Sequence, residues 1–439
     1  MKRIGMAKTA LFSAAMVLLA SPAVYADAAP AASRINSGDT AWLLICSALV
    51  LLMTPALGFF YGGMVRRKNV LGTIMHSFWA LCLVSVSWVL WGYSMSFGPS
   101  IHGIIGNLSW FGLNGVGQGS SPLGSPTVPH LAFMAFQAMF AIITPALITG
   151  AFAERMKFSA YTVFILLWST LVYVPIAHWV WNPQGWLSKL GALDFAGGTV
   201  VHLNAGIAAL VAAIVIGRRR GYLEVPMPPH NIGYTVLGAS LLWFGWFGFN
   251  AGSAITSGGL AALAFVTTNT ATAAAALGWA FTEWAHKGRP TVLGAASGAV
   301  AGLVAVTPTA GFITPMAAIA VGAIAGIICY TAVNLRPKLG YDDSLDVVGV
   351  HGLGGFWGAI ATGIFASPLA NPAGRGLLYG NPHQVIVQFE ACGATLIWSG
   401  VVTYVILKVI DWTIGLRVSE NEEELGLDLS QHEESGYNF

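Results

Sequence analysis

Two histidines stand where the surrounding residues give them few polar partners: His202 in "ALDFAGGTVVHLNAG" and His351 in "LDVVGVHGLGG". Each follows an aspartate and a glycine-bearing stretch, then runs into hydrophobic residues. An ionisable group inside an apolar segment of membrane length is costly and faces a bundle interior or a cavity. Burial favours the neutral ring, which donates from one nitrogen and accepts at the other. Two neighbouring neutral rings can share a proton and offer a small polar solute a hydrogen-bonded track. One such histidine alone reads equally well as a buried structural residue; two in matching places favour a pore lining. Of the other eight, His76 and His178 read as packing or capping residues. His102, His130, His230, His286, His383 and His432 read as solvated or headgroup-level rings.

The chain that must position them has 439 residues, 56% hydrophobic and 9% charged. A soluble domain carries about 25% charged residues. A bilayer core about 30 Å thick needs roughly 20 apolar residues per helix, and such stretches recur. The short alternating segments of a membrane β-barrel are absent. The expected fold is therefore an all-α polytopic membrane protein with eleven transmembrane helices. The expected spans are residues 40–63, 70–97, 130–152, 159–180, 197–217, 232–252, 258–284, 291–309, 315–335, 346–366 and 385–415.

Residues 1–26 read as a cleavable signal peptide: Lys2, Arg3 and Lys8 precede the short apolar run "TALFSAAMVLLA", and "AVYA" ends in a cleavage-site pattern. An uncleaved anchor is the rival. Cleavage places the mature N-terminus outside, and eleven spans then place the C-terminus inside. Outside the signal peptide, fourteen basic residues fall on the inner side: Arg66, Arg67, Lys68, Arg155, Lys157, Arg218, Arg219, Arg220, Lys287, Arg289, Arg336, Lys338, Lys408 and Arg417. Only Arg34, Lys189 and Arg375 fall outside. That asymmetry is the one the positive-inside rule demands.

"LDFAGGTVVH" opens the fifth span and "LDVVGVHG" the tenth, in opposite directions. This predicts a five-plus-five inverted repeat, a construction that sets a transport path at the repeat interface. The halves run approximately 38–217 and 231–368, followed by a final helix at 385–415, within a membrane domain of 27–416. Glycine-rich faces such as "GASGAVAGLVAV" suit close helix packing in lipid. Cys46, Cys82, Cys329 and Cys392 form no CxxC pair, so neither a zinc site nor a disulfide framework is indicated. No P-loop, dinucleotide fingerprint or nucleic-acid-type basic cluster is present.

"ALDFAGGTVVHLNAG", together with "GFFYGGMVRRKNVL", "GAFAERMKFSA", "WFGFNAGSA" and "DVVGVHGLGG", closely resembles the ammonium transporter family (Amt/Mep/Rh) from about residue 38 to the tail. The resemblance implies a homotrimer of eleven-helix subunits in the cell (inner) membrane, each passing ammonium or ammonia, and methylammonium, through its own pore. It implies Phe140 and Phe249 as the pore gate and Phe140, Trp181, Ser253 and Asp194 at outer recruitment. It implies His202 and His351 as the pore pair. "NPQGW" departs from the family's usual glycine-rich run, which leaves Trp179 and Trp186 as weaker alternatives to Trp181. Neither enzymatic chemistry, a cofactor nor a metal is implied.

Physical chemistry fits this independently. Aromatic faces attract a dehydrating cation, and a Ser hydroxyl is an acceptor that ammonium's N–H groups can use directionally. Among 51 aromatics, only the motif match separates Phe140, Trp181 and Phe249 from core and headgroup-belt residues. Asp194 also reads as the N-cap of the fifth span, largely buried and off the substrate. Asp346 reads as its mirror, capping the tenth span without a transport role. The tail, residues 417–439, holds seven carboxylates and no Lys or Arg after residue 419. It reads as solvated or as an acidic strip lying on the basic loops "GRRRG" and "NLRPKLG". The resemblance implies that it docks a PII-type nitrogen regulator. Rival functions are an ammonium sensor with little flux, and a membrane haem oxidoreductase using the paired histidines. A potassium channel would need a TVGYG-like filter, and none is present.

Overall fold

The computed structural model describes residues 34–437; the expected signal peptide lies outside them. The described chain is almost wholly helical. Eleven apolar helices follow one another: α1 Ser37–Met64, α2 Arg67–Phe97, α3 His130–Phe152, α4 (residues 158–181), α5 Gly198–Ile216, α6 Ile232–Gly252, α7 Gly259–Lys287, α8 Val292–Val306, α9 Pro315–Leu339, α10 Val348–Phe365 and α11 His383–Thr413. Ten are long and apolar enough to cross a membrane; α8, with 15 residues, is shorter. The chain is thus a multi-pass membrane protein. The expected spans match these helices to within a few residues, and α3 and α6 match at both ends.

Local chemistry sets the ends. Asn36, Asn231, Thr291 and Thr314 cap α1, α6, α8 and α9 through their side chains, each satisfying an amide that the helix leaves unpaired. Small residues set the spacing. A methyl group added at Gly322 or Gly326 of α9 would lie 2.1 Å from Ala271 O or 2.2 Å from Ala275 O of α7. Those two helices therefore touch backbone to backbone, as in other small-residue membrane interfaces.

One end of the bundle gathers the charges. Arg155 is fully buried at the end of α3 and donates to the carbonyls of Ala151, Ala153, Gly217 and Asp342 and to Ser344 Oγ. Arg219 pairs with Asp342 at 2.8 Å and with Glu154 at 3.4 Å, and Glu154 also meets Arg66 at 2.7 Å. Burial alone would raise the Glu154 carboxyl; Arg219 and Arg66 outweigh it and hold it below its usual range.

The acidic tail is ordered on this end as two short helices, α12 Glu420–Leu425 and α13 Leu427–His432. Ser419 and Glu422 form a reciprocal capping box. Glu423 is buried and accepts from Arg220 N at 2.7 Å and from Arg417 at 2.6 Å. Asp428 accepts from Gly72 N at 2.8 Å, and Asn69 Oδ1 accepts from Leu427 N at 2.8 Å. The tail therefore lies on the basic loops and is not a solvated run. The loops it touches are "RRKN" and "GRRRG"; "NLRPKLG" packs instead through Arg336 against Asp346.

Candidate functional site

Helices α5 and α10 carry the site, and both begin in the same unusual way. Each opens with a π-helical turn, Gly198–Leu203 and Val348–Leu353, in which one extra residue per turn displaces the side chains from α-helical register. His202 and His351 sit inside these turns. Ahead of each lies an aspartate eight residues upstream: 202 − 194 = 8 and 351 − 343 = 8.

Asp194 is buried, with its carboxylate taken up by the start of α5. Oδ1 accepts from Gly197 N and Gly198 N, both at 2.7 Å; Oδ2 accepts from Thr199 N at 2.8 Å, Thr199 Oγ1 at 2.5 Å and Val200 N at 3.3 Å. Asp194 thus satisfies the opening amides of α5, though from three residues ahead of the N-cap position, which Gly197 occupies. Asp346, the expected cap of α10, does not do the same. Asp346 pairs with Arg336, and its backbone is left-handed, with φ +63°. Asp343, fully buried, accepts from Val348 N at 2.8 Å instead. An ungapped alignment explains the correction. An offset of 149 residues pairs His202 with His351 and Asp194 with Asp343, and pairs Asp346 with Gly197, which is also left-handed at φ +118°. The two "Leu-Asp" dipeptides are out of register by three.

Between α5 and α10 the contact is reciprocal. A methyl group on Gly206 would lie 2.2 Å from Gly352 Cα, beside His351; one on Gly355 would lie 2.8 Å from His202 Cβ. Each glycine lets its helix approach the backbone that carries the opposite histidine. The rings meet as a result, with Nδ1 to Nδ1 at 3.3 Å and centroids 5.3 Å apart.

The pair lines a void of about 10 Å³ whose other walls include Val201, Leu242, Trp246 and Phe249. That is room for about one water-sized molecule. Phe249 stacks 6.0 Å from His202 and lies 4.3 Å from Phe140, centroid to centroid. Beyond them, toward the end opposite the charges, Trp181 stands edge-on to Phe140 at 5.6 Å, and its Nε1 donates to Asp194 O at 3.1 Å. Trp179 is engaged elsewhere, with Ile104 O and Trp398, and Trp186 packs on Trp179. Ser253 ends α6 half-buried, one turn beyond Phe249, whose carbonyl accepts its hydroxyl at 2.8 Å.

Sequence reasoning passed over two neighbours of His202. Trp246 stacks on it at 5.4 Å, and Thr307 Oγ1 lies 3.3 Å from its Nε2 and 2.9 Å from Trp246 Nε1. Trp246 falls one turn before Phe249 in "WFGWFGFNAG", a spacing that puts both on one face; nothing in "VAVTPTAG" marks Thr307. His130, expected as a solvated or headgroup-level ring, is instead buried and bonded to Tyr93 Oη at 2.6 Å. Among the described residues no cluster of His, Cys, Asp and Glu suits a metal ion.

Residues 41–437 match the Ammonium Transporter Family. An ammonium transporter of Bacillus subtilis is 53% identical over 405 residues, covering 92% of this chain and 99% of its own. Ammonium transporter Amt1 of Archaeoglobus fulgidus is 49% identical, covering 92% of this chain and all of its own. Among solved structures, Mep2 of Candida albicans superposes with a TM-score of 0.83 at 37% identity, covering 89% of this chain and 88% of its own. A structure described as a sensor Amt protein gives 0.83 at 28% identity, covering 90% and 98%. With a family match across nearly the whole described length and relatives near half-identical end to end, the chain belongs to the Ammonium Transporter Family, a family of transporters and not of enzymes.

Proposed function

We propose that this protein carries ammonium-derived nitrogen across a membrane through a pore in each subunit, past the His202–His351 pair. The observation that carries the reading is that pair, Nδ1 to Nδ1, in a narrow apolar void walled by Phe249, whose tilted ring lies 4.3 Å from that of Phe140. A cation approaching from the Trp181 end meets aromatic faces worth about 0.5–2 kcal/mol each and the Ser253 oxygen. Asp194 stabilises this mouth from behind: its carboxylate is engaged by the opening amides of α5 and the Thr199 hydroxyl, and its carbonyl holds Trp181. A charge crossing mid-bilayer costs several kcal/mol, so ammonium gives its proton to water on the Trp181 side of the Phe gate and neutral ammonia enters the void. There the histidines supply hydrogen bonds that hydrocarbon cannot.

The architecture we infer is a five-plus-five inverted repeat, halves approximately 38–217 and 231–368 with α11 added, in the mature domain 27–416. The 149-residue offset and the reciprocal glycine contacts support it. The charged end is taken as cytoplasmic on the positive-inside rule, in a homotrimer in the inner membrane. The docked tail, 417–439, is the surface proposed for a PII-type regulator. Haem ligation fits poorly: axial ligands bracket an iron, whereas these rings touch one another. The sensor reading draws on the sensor Amt likeness. Uptake of methylammonium into proteoliposomes, with ammonium as competitor, separates the two. Competed uptake supports transport; binding without uptake leaves a sensor.

A further inference from the structure

The hydroxyl of Thr307 sits at a junction of three polar groups and has one proton to share among them. Thr307 Oγ1 lies 2.7 Å from Leu303 O, 2.9 Å from Trp246 Nε1 and 3.3 Å from His202 Nε2. Two oxygens at 2.7 Å need a proton between them, and a carbonyl has none, so the single Thr307 proton points to Leu303 O. An indole N–H only donates, so Trp246 fills one lone pair of Oγ1. The group left facing His202 is the other lone pair. His202 must therefore carry its proton on Nε2 and leave Nδ1 bare.

The consequence passes to the second ring. Two bare nitrogens at 3.3 Å would repel, so the proton between the rings belongs to His351 Nδ1, donated to His202 Nδ1. His351 Nε2 is then the one nitrogen of the pair with a free lone pair; no hydrogen-bond partner for it is found among the described residues. We propose that Thr307 is a positioning residue that fixes the tautomers of both pore histidines. It thereby polarises the pair, so that an N–H donor in the pore is received at His351 Nε2. Ammonia, with three N–H bonds and no need to shed a charge, suits that acceptor; an alkali cation brings no proton to it. The chain of donors runs from His351 through His202 to Thr307 and ends at Leu303 O, in the last full turn of α8.

This inference rests on the histidine pair being the pore lining, and its test separates the two. In full-length protein labelled with ¹⁵N-histidine and reconstituted in lipid, solid-state NMR reads which ring nitrogen bears hydrogen, with H202A and H351A assigning the signals. Wild type should show His202 protonated at Nε2 and His351 at Nδ1. T307S, which keeps the hydroxyl, should show the same. T307V, nearly the same shape without it, should redistribute the His202 proton toward Nδ1. Its methylammonium uptake should fall about fivefold, the population change that one neutral hydrogen bond controls. His202 protonated at Nδ1 in wild type, or T307V with unaltered tautomers, would overturn the tautomer lock and leave the pore assignment standing. Unaltered uptake in H202A and H351A would overturn the pore assignment itself.

Discussion

Gly206 of α5 packs against the backbone at His351 of α10, and the approach leaves no room for a single methyl group: a Cβ at Gly206 would lie 3.1 Å from the His351 carbonyl carbon and 2.2 Å from Gly352 Cα. The histidine pair exists because two helices cross at backbone distance. Gly206→Ala should therefore spread α5 from α10, lowering stability by about 1–3 kcal/mol, the usual cost of overpacking. The distance between the rings should widen and transport should fall with it. Thermal unfolding in detergent and methylammonium uptake measure the two effects. A variant with wild-type melting and flux would show that the crossing has slack that the structure does not contain.

Asp194→Ala should abolish transport. It removes the acceptor of Gly197, Gly198, Thr199 and Val200 amides together, and a lost N-cap alone costs about 1–2 kcal/mol. Asp194→Asn keeps one acceptor oxygen and should still fold. Proteoliposome flux and melting temperature distinguish them. Wild-type flux in the Ala variant would reduce Asp194 to a dispensable cap.

Asp343 makes stability depend on pH. It lies between α9 and α10, and burial, with Asp346 nearby, pushes its carboxyl up to about 6 from an ordinary 3.8. A carboxyl raised in the folded state binds its proton more tightly there than in the unfolded chain. Its contribution is full below about pH 4 and is lost as pH rises through about 6. Asp343→Asn keeps an acceptor for Val348 N without the charge. Its melting temperature should equal or exceed wild type at pH 7.5, and the gap should narrow toward pH 5. A gap that widens toward acid would contradict the assignment.

The tail gives a further test. A chain ending at Arg417 loses Glu423 from Arg220 and Arg417, and Asp428 from the Gly72 amide. It should melt lower, with the deficit shrinking in high salt as the exposed Arg220–Glu424 pair is screened. In a pull-down with a PII-type protein across nucleotide and 2-oxoglutarate conditions, the full chain should bind and the shortened one should not. Equal capture by both would remove the tail from regulation.

How legible the molecule was depends on what carried the signal. Spans are written in runs of apolar residues, so α3 and α6 were bounded to the residue. The aromatic residues and the histidines stand out by motif likeness, and the structure joins Trp181, Phe140, Phe249, His202 and His351 in one run of ring contacts. Asp343 was missed because "LD" occurs twice, and the eye pairs identical dipeptides before it counts spacing from the histidines. Thr307 was invisible because a threonine after a Gly/Ala-rich helix has no pattern of its own; only the fold brings it to Trp246 and His202. The docking of the tail depended on which basic groups its carboxylates would find, which is a tertiary property.

On the function proposed above, ammonium-derived nitrogen passes between α5 and α10 along His202 and His351. Reconstituting wild type, H202A and H351A side by side and following methylammonium uptake with ammonium and potassium as competitors tests it most directly. The account predicts that wild type takes up substrate against potassium but yields to ammonium. It predicts that each Ala variant either loses most of that flux or loses the discrimination. Both variants carrying substrate at the wild-type rate and with wild-type selectivity would contradict it.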